Sequence, residues 1–199
     1  MRIELAGGIG IGKSTLCEAF HKLGCVPVFE DLKSNPFLAP CYDDPENYKF
    51  PSQMWFALTK YHEIDQHKEP DKIYIHDQST INNNAYTNML FRNAKDQEGW
   101  DVVSHCFWYT ENRLGRPDLI LNLQCEEAEQ LKRIRNRGRD FEESVDVDFI
   151  HRFNREINEL LDKASYKGYI IKDVDITDYT IEDYDTLAKD VMSKQGNRW

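Results

Sequence analysis

The chain has 199 residues, 40% of them hydrophobic and 12% aromatic, enough to bury a substantial core and too many for a disordered segment. A formal net charge of −10 argues against a nucleic-acid-binding protein. No run approaches the roughly eighteen apolar residues of a membrane-spanning helix.

Five cysteines (Cys17, Cys25, Cys41, Cys106, Cys125) are odd in number and lack C-x-x-C spacing. They suit buried thiols in a reducing cytosol better than disulfides or zinc ligands. A strand pattern starting at residue 2 leaves no room for a signal peptide, so a cytoplasmic protein is expected.

In chain order, Arg2-Ile3-Glu4-Leu5-Ala6 alternates as a strand does, and residues 15–23 have helical spacing, ended by Gly24. Between them stands Gly7-Gly8-Ile9-Gly10-Ile11-Gly12-Lys13-Ser14-Thr15, which reads G-x-x-x-x-G-K-S, a phosphate-binding loop. Its glycines let backbone N–H groups turn inward around phosphates, and the helix start behind them favours an anion. Lys13 would bridge the β- and γ-phosphates and the Ser14 hydroxyl would ligate Mg²⁺.

A short apolar run over residues 25–29 predicts a second strand, ending at Glu30 and Asp31. Residues 31–47, rich in Pro, Asn and Asp, read as loop, and residues 48–67 as a helix. Residues 73–76 predict a third strand, ending at Asp77-Gln78-Ser79, with a weakly patterned helical region to about residue 115. A fourth strand is expected over 119–123, helices over 126–137 and around 149–164, a fifth strand over 169–171, and a helix over 181–192. Residues 194–199 are expected to fray. Strands alternating with helices predict one α/β domain over residues 1–199, a five-stranded parallel sheet flanked by helices. Its site should lie at the carboxyl ends of the strands.

Glu30 falls there, and from spacing alone it reads equally as a solvated loop carboxylate or as the acceptor of a hydroxyl proton. Asp77 follows an apolar strand as a Walker-B carboxylate does, and would hold Mg²⁺ directly or through water. Residues 132–139 carry five positive charges in eight positions. Arg133 and Arg137 are i,i+4, as are Arg135 and Arg139, and like charges so spaced cost about 0.2–0.5 kcal/mol per pair. A bound polyphosphate would offset that cost, which suggests a lid over a nucleoside triphosphate; the alternative is a solvated face with Asp140, Glu142 and Glu143 as partners. The histidines show no metal-ligand spacing. Trp55, Phe56, Phe37 and Tyr42 fit a base pocket or the core.

The ordered set of motifs resembles the deoxyribonucleoside kinase family, from Arg2 to about Leu161. Val28-Phe29-Glu30-Asp31 with Asn35-Pro36-Phe37-Leu38 is similar to its E-P-V and N-P-Y-L segments. Cys41-Tyr42-Asp43, Tyr48, Phe50 and Gln53 resemble its Y-x-D-x-x-x-W-x-F-x-x-Q run. Asp77-Gln78-Ser79 stands at its D/E-R-S, Pro117-Asp118-Leu119 at its P-D-L strand, and residues 133–143 at its arginine-rich lid.

The resemblance implies a P-loop kinase fold and ATP-dependent phosphorylation of a deoxynucleoside 5′-hydroxyl in nucleotide salvage, with a purine favoured by the N-P-F-L stretch. It implies Glu30 as general base, with Lys13, Arg133 and Asp77 completing the catalytic set. Gln53, Gln78 and Asn83 (or Asn84, with Lys60 nearby) would face the base, while Tyr42 and Glu142 would hold the sugar 3′-hydroxyl. Arg133, Arg137 and Arg139 would contact ATP phosphates, and Ser14 and Asp77 would serve Mg²⁺. A homodimer is common in such families.

Two departures stand out: Asp31 replaces a proline, and Gln78 replaces an arginine beside the catalytic carboxylate. Lys33 and Arg92 are candidates to supply the missing cation. The rival readings are a nucleoside monophosphate kinase and a nucleotide-binding sensor with degenerate catalysis.

Overall fold

A strand buried on both faces must be covered on both, and the strands over residues 2–6 and 119–124 are buried in this way. The computed structural model, which describes residues 1–92, 96–139 and 142–194, contains five parallel strands: β1 (Arg2–Ala6), β2 (Val26–Val28), β3 (Tyr74–His76), β4 (Leu119–Gln124) and β5 (Ile171–Asp175). Their order is β2-β3-β1-β4-β5. Side chains alternate across the sheet. Ile3 and Leu5 with Leu119, Leu121 and Leu123 pack under α1 (Lys13–His21) and α8 (Ile181–Ser193). Ala6 and Ile120 face the other way, toward α4 (Thr80–Phe91) and α7 (Val147–Tyr166).

The remaining helices are α2 (Leu38–Asp43), α3 (Pro45–Gln66), α5 (Gln97–Leu114) and α6 (Glu127–Arg137). α3 and α5 share a small core of Ala57, Val103 and Phe107. Glu4, in the middle of β1, is fully buried opposite His76 of β3. Its carboxylate is matched by an ion pair with Arg2 at 3.1 Å and by the Thr80 N–H at 2.9 Å. A polar seam therefore runs under the sheet close to the start of α4.

Two expectations need correction. Residues 31–47 are not all loop: α2 occupies part of them, and α3 starts at Pro45, with the Asp44 side chain accepting from the Asn47 N–H. Asp before Pro is an N-cap followed by a first helical residue, so the signal stood within the supposed loop. The fifth strand runs over Ile171–Asp175 rather than 169–171. It lies at the edge of the sheet, where one side is open to water and Lys172 and Asp173 are tolerated; Asn122 of β4 donates to Asp173 at 2.8 Å. The fraying expected of the carboxyl-terminal residues falls largely on 195–199, outside the described residues.

Candidate active site

The carboxyl ends of β1, β2 and β3 open into a cleft of about 890 Å³. At the end of β1 the phosphate-binding loop turns through left-handed glycines, among them Gly10 (φ +73°) and Gly12 (φ +92°). A Cβ on Gly10 would meet Ile134 of α6 at 2.8 Å and one on Gly12 would strike the Tyr184 hydroxyl of α8, so the loop is pressed between two helices. Ile9 through Thr15 line the cleft. Gly7 and Gly8 lie behind it, their carbonyls accepting from Lys13 Nζ at 2.9 and 2.7 Å. Lys13 begins α1, so the ammonium and the positive end of the helix point into one space.

Ser14, next along α1, donates its hydroxyl to Asp77 Oδ2 at 2.8 Å. The other carboxylate oxygen of Asp77 is buried without a hydrogen-bond partner. Among the described residues no group of three His, Cys, Asp or Glu side chains can hold a metal unaided. Mg²⁺ usually takes one or two protein oxygens and completes its shell with phosphate and water, and a hydroxyl beside an unpartnered carboxylate oxygen at a phosphate loop fits that habit.

Glu30, past the end of β2, lines the same cleft. Burial pushes its carboxyl up to about 7, opposed by Lys13 and Lys60 and reinforced by Asp77 and Glu63. Burial lowers the Lys13 ammonium, with Asp77 and Glu30 pulling the other way. A carboxyl held near neutrality at a phosphate loop is suited to accept a proton.

The acceptor side is built by α2, α3 and α4. Tyr42, Gln53, Gln78 and Asn83 all line the cleft. Gln53 is 3% exposed and accepts from the Thr87 hydroxyl at 3.1 Å. Asn84 is turned to the Thr80 carbonyl within α4 and does not reach the cleft. Phe56 joins the lining, while Trp55 and Phe37 do not. Burial, then Glu142, raises the Tyr42 phenol.

The basic segment closes the other side. Arg133 donates to Glu129 at 3.1 Å and to the Thr177 carbonyl at 3.0 Å. Arg137 donates to both oxygens of Glu142 at 2.6 Å, and Arg139 to one of them at 3.4 Å. All three arginines and Glu142 line the cleft. The like-charge cost expected along α6 is thus met largely by Glu129 and Glu142 rather than left for a ligand. Arg135 is not part of this set; its guanidinium holds the Glu143 and Val145 carbonyls at 2.7 and 2.8 Å. Residues 140 and 141, which include the suggested partner Asp140, lie outside the described residues.

The sequence reading missed several lining groups: Asn82, Tyr86, Met89, Phe153, Tyr179 and Tyr184. Tyr86 packs on Phe153 at 4.1 Å between ring centroids. At helical spacing these aromatics are indistinguishable from core. Nor does Lys60 line the cleft: it is 3% exposed and tied to the Gln78 carbonyl. Arg92 is paired with Glu156 of α7, and Lys33 is exposed outside the cleft lining.

Residues 3–198 match the family model described as deoxynucleoside kinase. A deoxyadenosine kinase of Dictyostelium discoideum is 27% identical over 82% of this chain and 67% of its own length. A deoxyguanosine kinase of Lactobacillus acidophilus is 28% identical over 92% of this chain and 85% of its own. A solved structure of the M. mycoides deoxyadenosine kinase with the products dCMP and dCDP superposes with a TM-score of 0.82, covering 98% of this chain and all of that one at 21% identity, which speaks for the fold. The family match, the parallel sheet and the two-sided cleft agree: the chain belongs to the deoxynucleoside kinase family, and it is a phosphotransferase acting on a deoxynucleoside.

Proposed function

We propose that the protein transfers the γ-phosphate of ATP to the 5′-hydroxyl of a purine deoxynucleoside, as a step of nucleotide salvage. The observation that carries this reading is Glu30, a carboxyl pushed up to about 7 in the same cleft as Lys13 and the Ser14–Asp77 pair. Phosphoryl transfer needs positioning and charge neutralisation more than covalent help. Glu30 accepts the hydroxyl proton, while Lys13 leaves the Gly7 and Gly8 carbonyls for the phosphate oxygens. Arg133, Arg137 and Arg139 donate to those oxygens as charge spreads over them in the transition state. Ser14 and Asp77 would hold Mg²⁺, which when bound neutralises phosphate charge as a Lewis acid.

Gln53 offers the base both a donor and an acceptor through its amide, with Asn83 and Gln78 beside it. Tyr42 and Glu142 take the sugar 3′-hydroxyl, so the arginine lid over residues 133–143 also senses the acceptor. A purine is favoured because the named relatives are deoxyadenosine and deoxyguanosine kinases.

Residues 1–199 are read as one domain, without nucleic acid or membrane among its partners; no described helix is long and apolar enough to cross a membrane. All five cysteines are free thiols, which supports a cytoplasmic location. Leu58, Val102, Trp108 and Tyr109 are 48–62% exposed on α3 and α5, and this apolar face supports a homodimer. Sedimentation of the wild type against Trp108→Glu tests the dimer; a monomeric wild type excludes it.

The test of function is ADP release with each of the four deoxynucleosides and their 5′-monophosphates as acceptors. Purine deoxynucleosides should give the highest kcat/KM. Preference for a monophosphate would overturn the acceptor assignment. No ADP release with any of these acceptors would leave only nucleotide binding.

A further inference from the structure

Gln78 stands where the resemblance places an arginine, so the reacting end of the cleft lacks the cation expected from its front side. The structure holds one behind it. Lys60, on α3, is 3% exposed, and its ammonium donates to the Gln78 carbonyl and meets His76 Nδ1 at 3.1 Å and Glu63 Oε2 at 3.6 Å. Two of the ammonium's three donors are taken by the carbonyl and the imidazole, and Glu63 stands in ion-pair range.

For His76 Nδ1 to accept a hydrogen bond from the Lys60 ammonium, the imidazole must be neutral with its hydrogen on Nε2. Lys60 is absent from the cleft lining, so it does not touch a substrate bound there.

The contact to Gln78 also matters for position. The Gln78 carbonyl sits between Asp77, which accepts from Ser14, and Ser79, whose hydroxyl caps α4 by accepting from the Asn82 N–H at 3.1 Å. A buried ammonium on that carbonyl holds the whole turn against α3. We propose that Lys60 is the positioning cation of the acceptor end of the cleft, tying the Asp77–Gln78–Ser79 turn to α3 and supplying from behind it the positive charge that Gln78 lacks.

The inference rests on the kinase reading above. The charged groups that act on Glu30 are Lys13 from α1, Asp77 at the end of β3, and Lys60 and Glu63 from α3. Removing Lys60 takes away one of the two cations among them.

The experiment compares wild type, Lys60→Met, Lys60→Gln, and Lys60→Met combined with Gln78→Arg, by the pH dependence of deoxynucleoside-dependent ADP release and by thermal melting. Lys60→Met should lower kcat/KM at pH 7 at least about tenfold and move the acid limb of the profile up by about one pH unit. Adding Gln78→Arg should bring the limb back toward the wild-type position. Lys60→Gln, which keeps a donor for the Gln78 carbonyl, should retain the melting temperature better while showing the same displaced limb, and it carries the measurement if Lys60→Met does not fold. An unmoved limb in these variants, with only a lower melting temperature, overturns the proposal and leaves Lys60 structural. Absence of deoxynucleoside-dependent turnover in the wild type would instead sink the kinase reading, so the two failures are distinguishable.

Discussion

Asn82 clasps Gly7 by both backbone groups: the Gly7 N–H donates to Asn82 Oδ1 at 3.2 Å, and Asn82 Nδ2 donates to the Gly7 carbonyl at 2.6 Å. The side chain is 1% exposed and copies the pairing a neighbouring strand would make. It joins the first turn of α4 to the start of the phosphate loop, and the same Gly7 carbonyl accepts from Lys13.

Loss of that clasp should loosen the loop. Asn82→Ala leaves the Gly7 N–H without a partner and its carbonyl with Lys13 alone, and should cost about 1–3 kcal/mol, read as a drop of several degrees in melting temperature. Asn82→Asp puts an acceptor-only carboxylate against the Gly7 carbonyl and beside the phosphates, so the KM for ATP should rise more than in the alanine variant. Equal ATP constants in the two variants would argue that the clasp is structural alone.

Replacing the proposed proton acceptor separates chemistry from binding. Glu30→Gln keeps the shape and a hydrogen-bonding oxygen but cannot take a proton at neutral pH. Turnover should fall by about 10²–10⁴, while calorimetry finds deoxynucleoside binding close to wild type. Near-normal turnover would remove Glu30 from the mechanism.

The pH dependence follows from the same carboxyl. Its folded value is raised from 4.5 to about 7, so the protonated form is favoured on folding. With Glu30 as the proposed base, activity needs the carboxylate, and kcat/KM should rise with pH through an acid limb near 7. Stability runs in the opposite sense. The contribution from Glu30 is whole below its unfolded value and is lost as pH rises through the folded one. It amounts to at most about 1.4 kcal/mol for each pH unit separating the two values, and less where water reaches the group. Glu30→Gln should consequently melt above the wild type at pH 8, with the gap closing toward pH 5. A gap that widens on acidification would mean that Glu30 is stabilised in its charged form.

The sugar assignment predicts non-additive losses. Glu142 is 4% exposed, bound by Arg137 and Arg139, and its charge reaches Tyr42. Tyr42→Phe and a 2′,3′-dideoxynucleoside acceptor should each lower kcat/KM, by about tenfold if one hydrogen bond to a charged network is lost. Combined, they should cost little more than either alone, because both remove the same contact. Fully multiplicative losses would place the 3′-hydroxyl elsewhere.

What could be read in advance depended on the range of the interactions involved. The phosphate loop from Gly7 to Thr15, the carboxylates closing β2 and β3, and the basic run of α6 are local patterns. Period and turn chemistry place the loop and the carboxylates at strand ends, where a parallel α/β sheet puts its site, and the basic run late in a helix. The edge strand β5 escaped because polar residues are tolerated at an edge, and the start of α3 because its Asp-Pro signal lay within a stretch that otherwise read as loop.

Only the tertiary structure decided which of several similar side chains reaches the cleft. Arg135 and Arg137 are two residues apart, yet one holds backbone carbonyls and the other Glu142. Asn82 meets Gly7 across 75 residues, and Lys60 meets Gln78 across 18. Such contacts are set by how α3 and α4 stack on the sheet, and no spacing within either helix encodes them. By itself the sequence determined a phosphate loop between strand and helix with carboxylates closing the next strands; packing determined that Glu30 lines the same cleft, how the loop is held and that Lys60 stands behind Gln78.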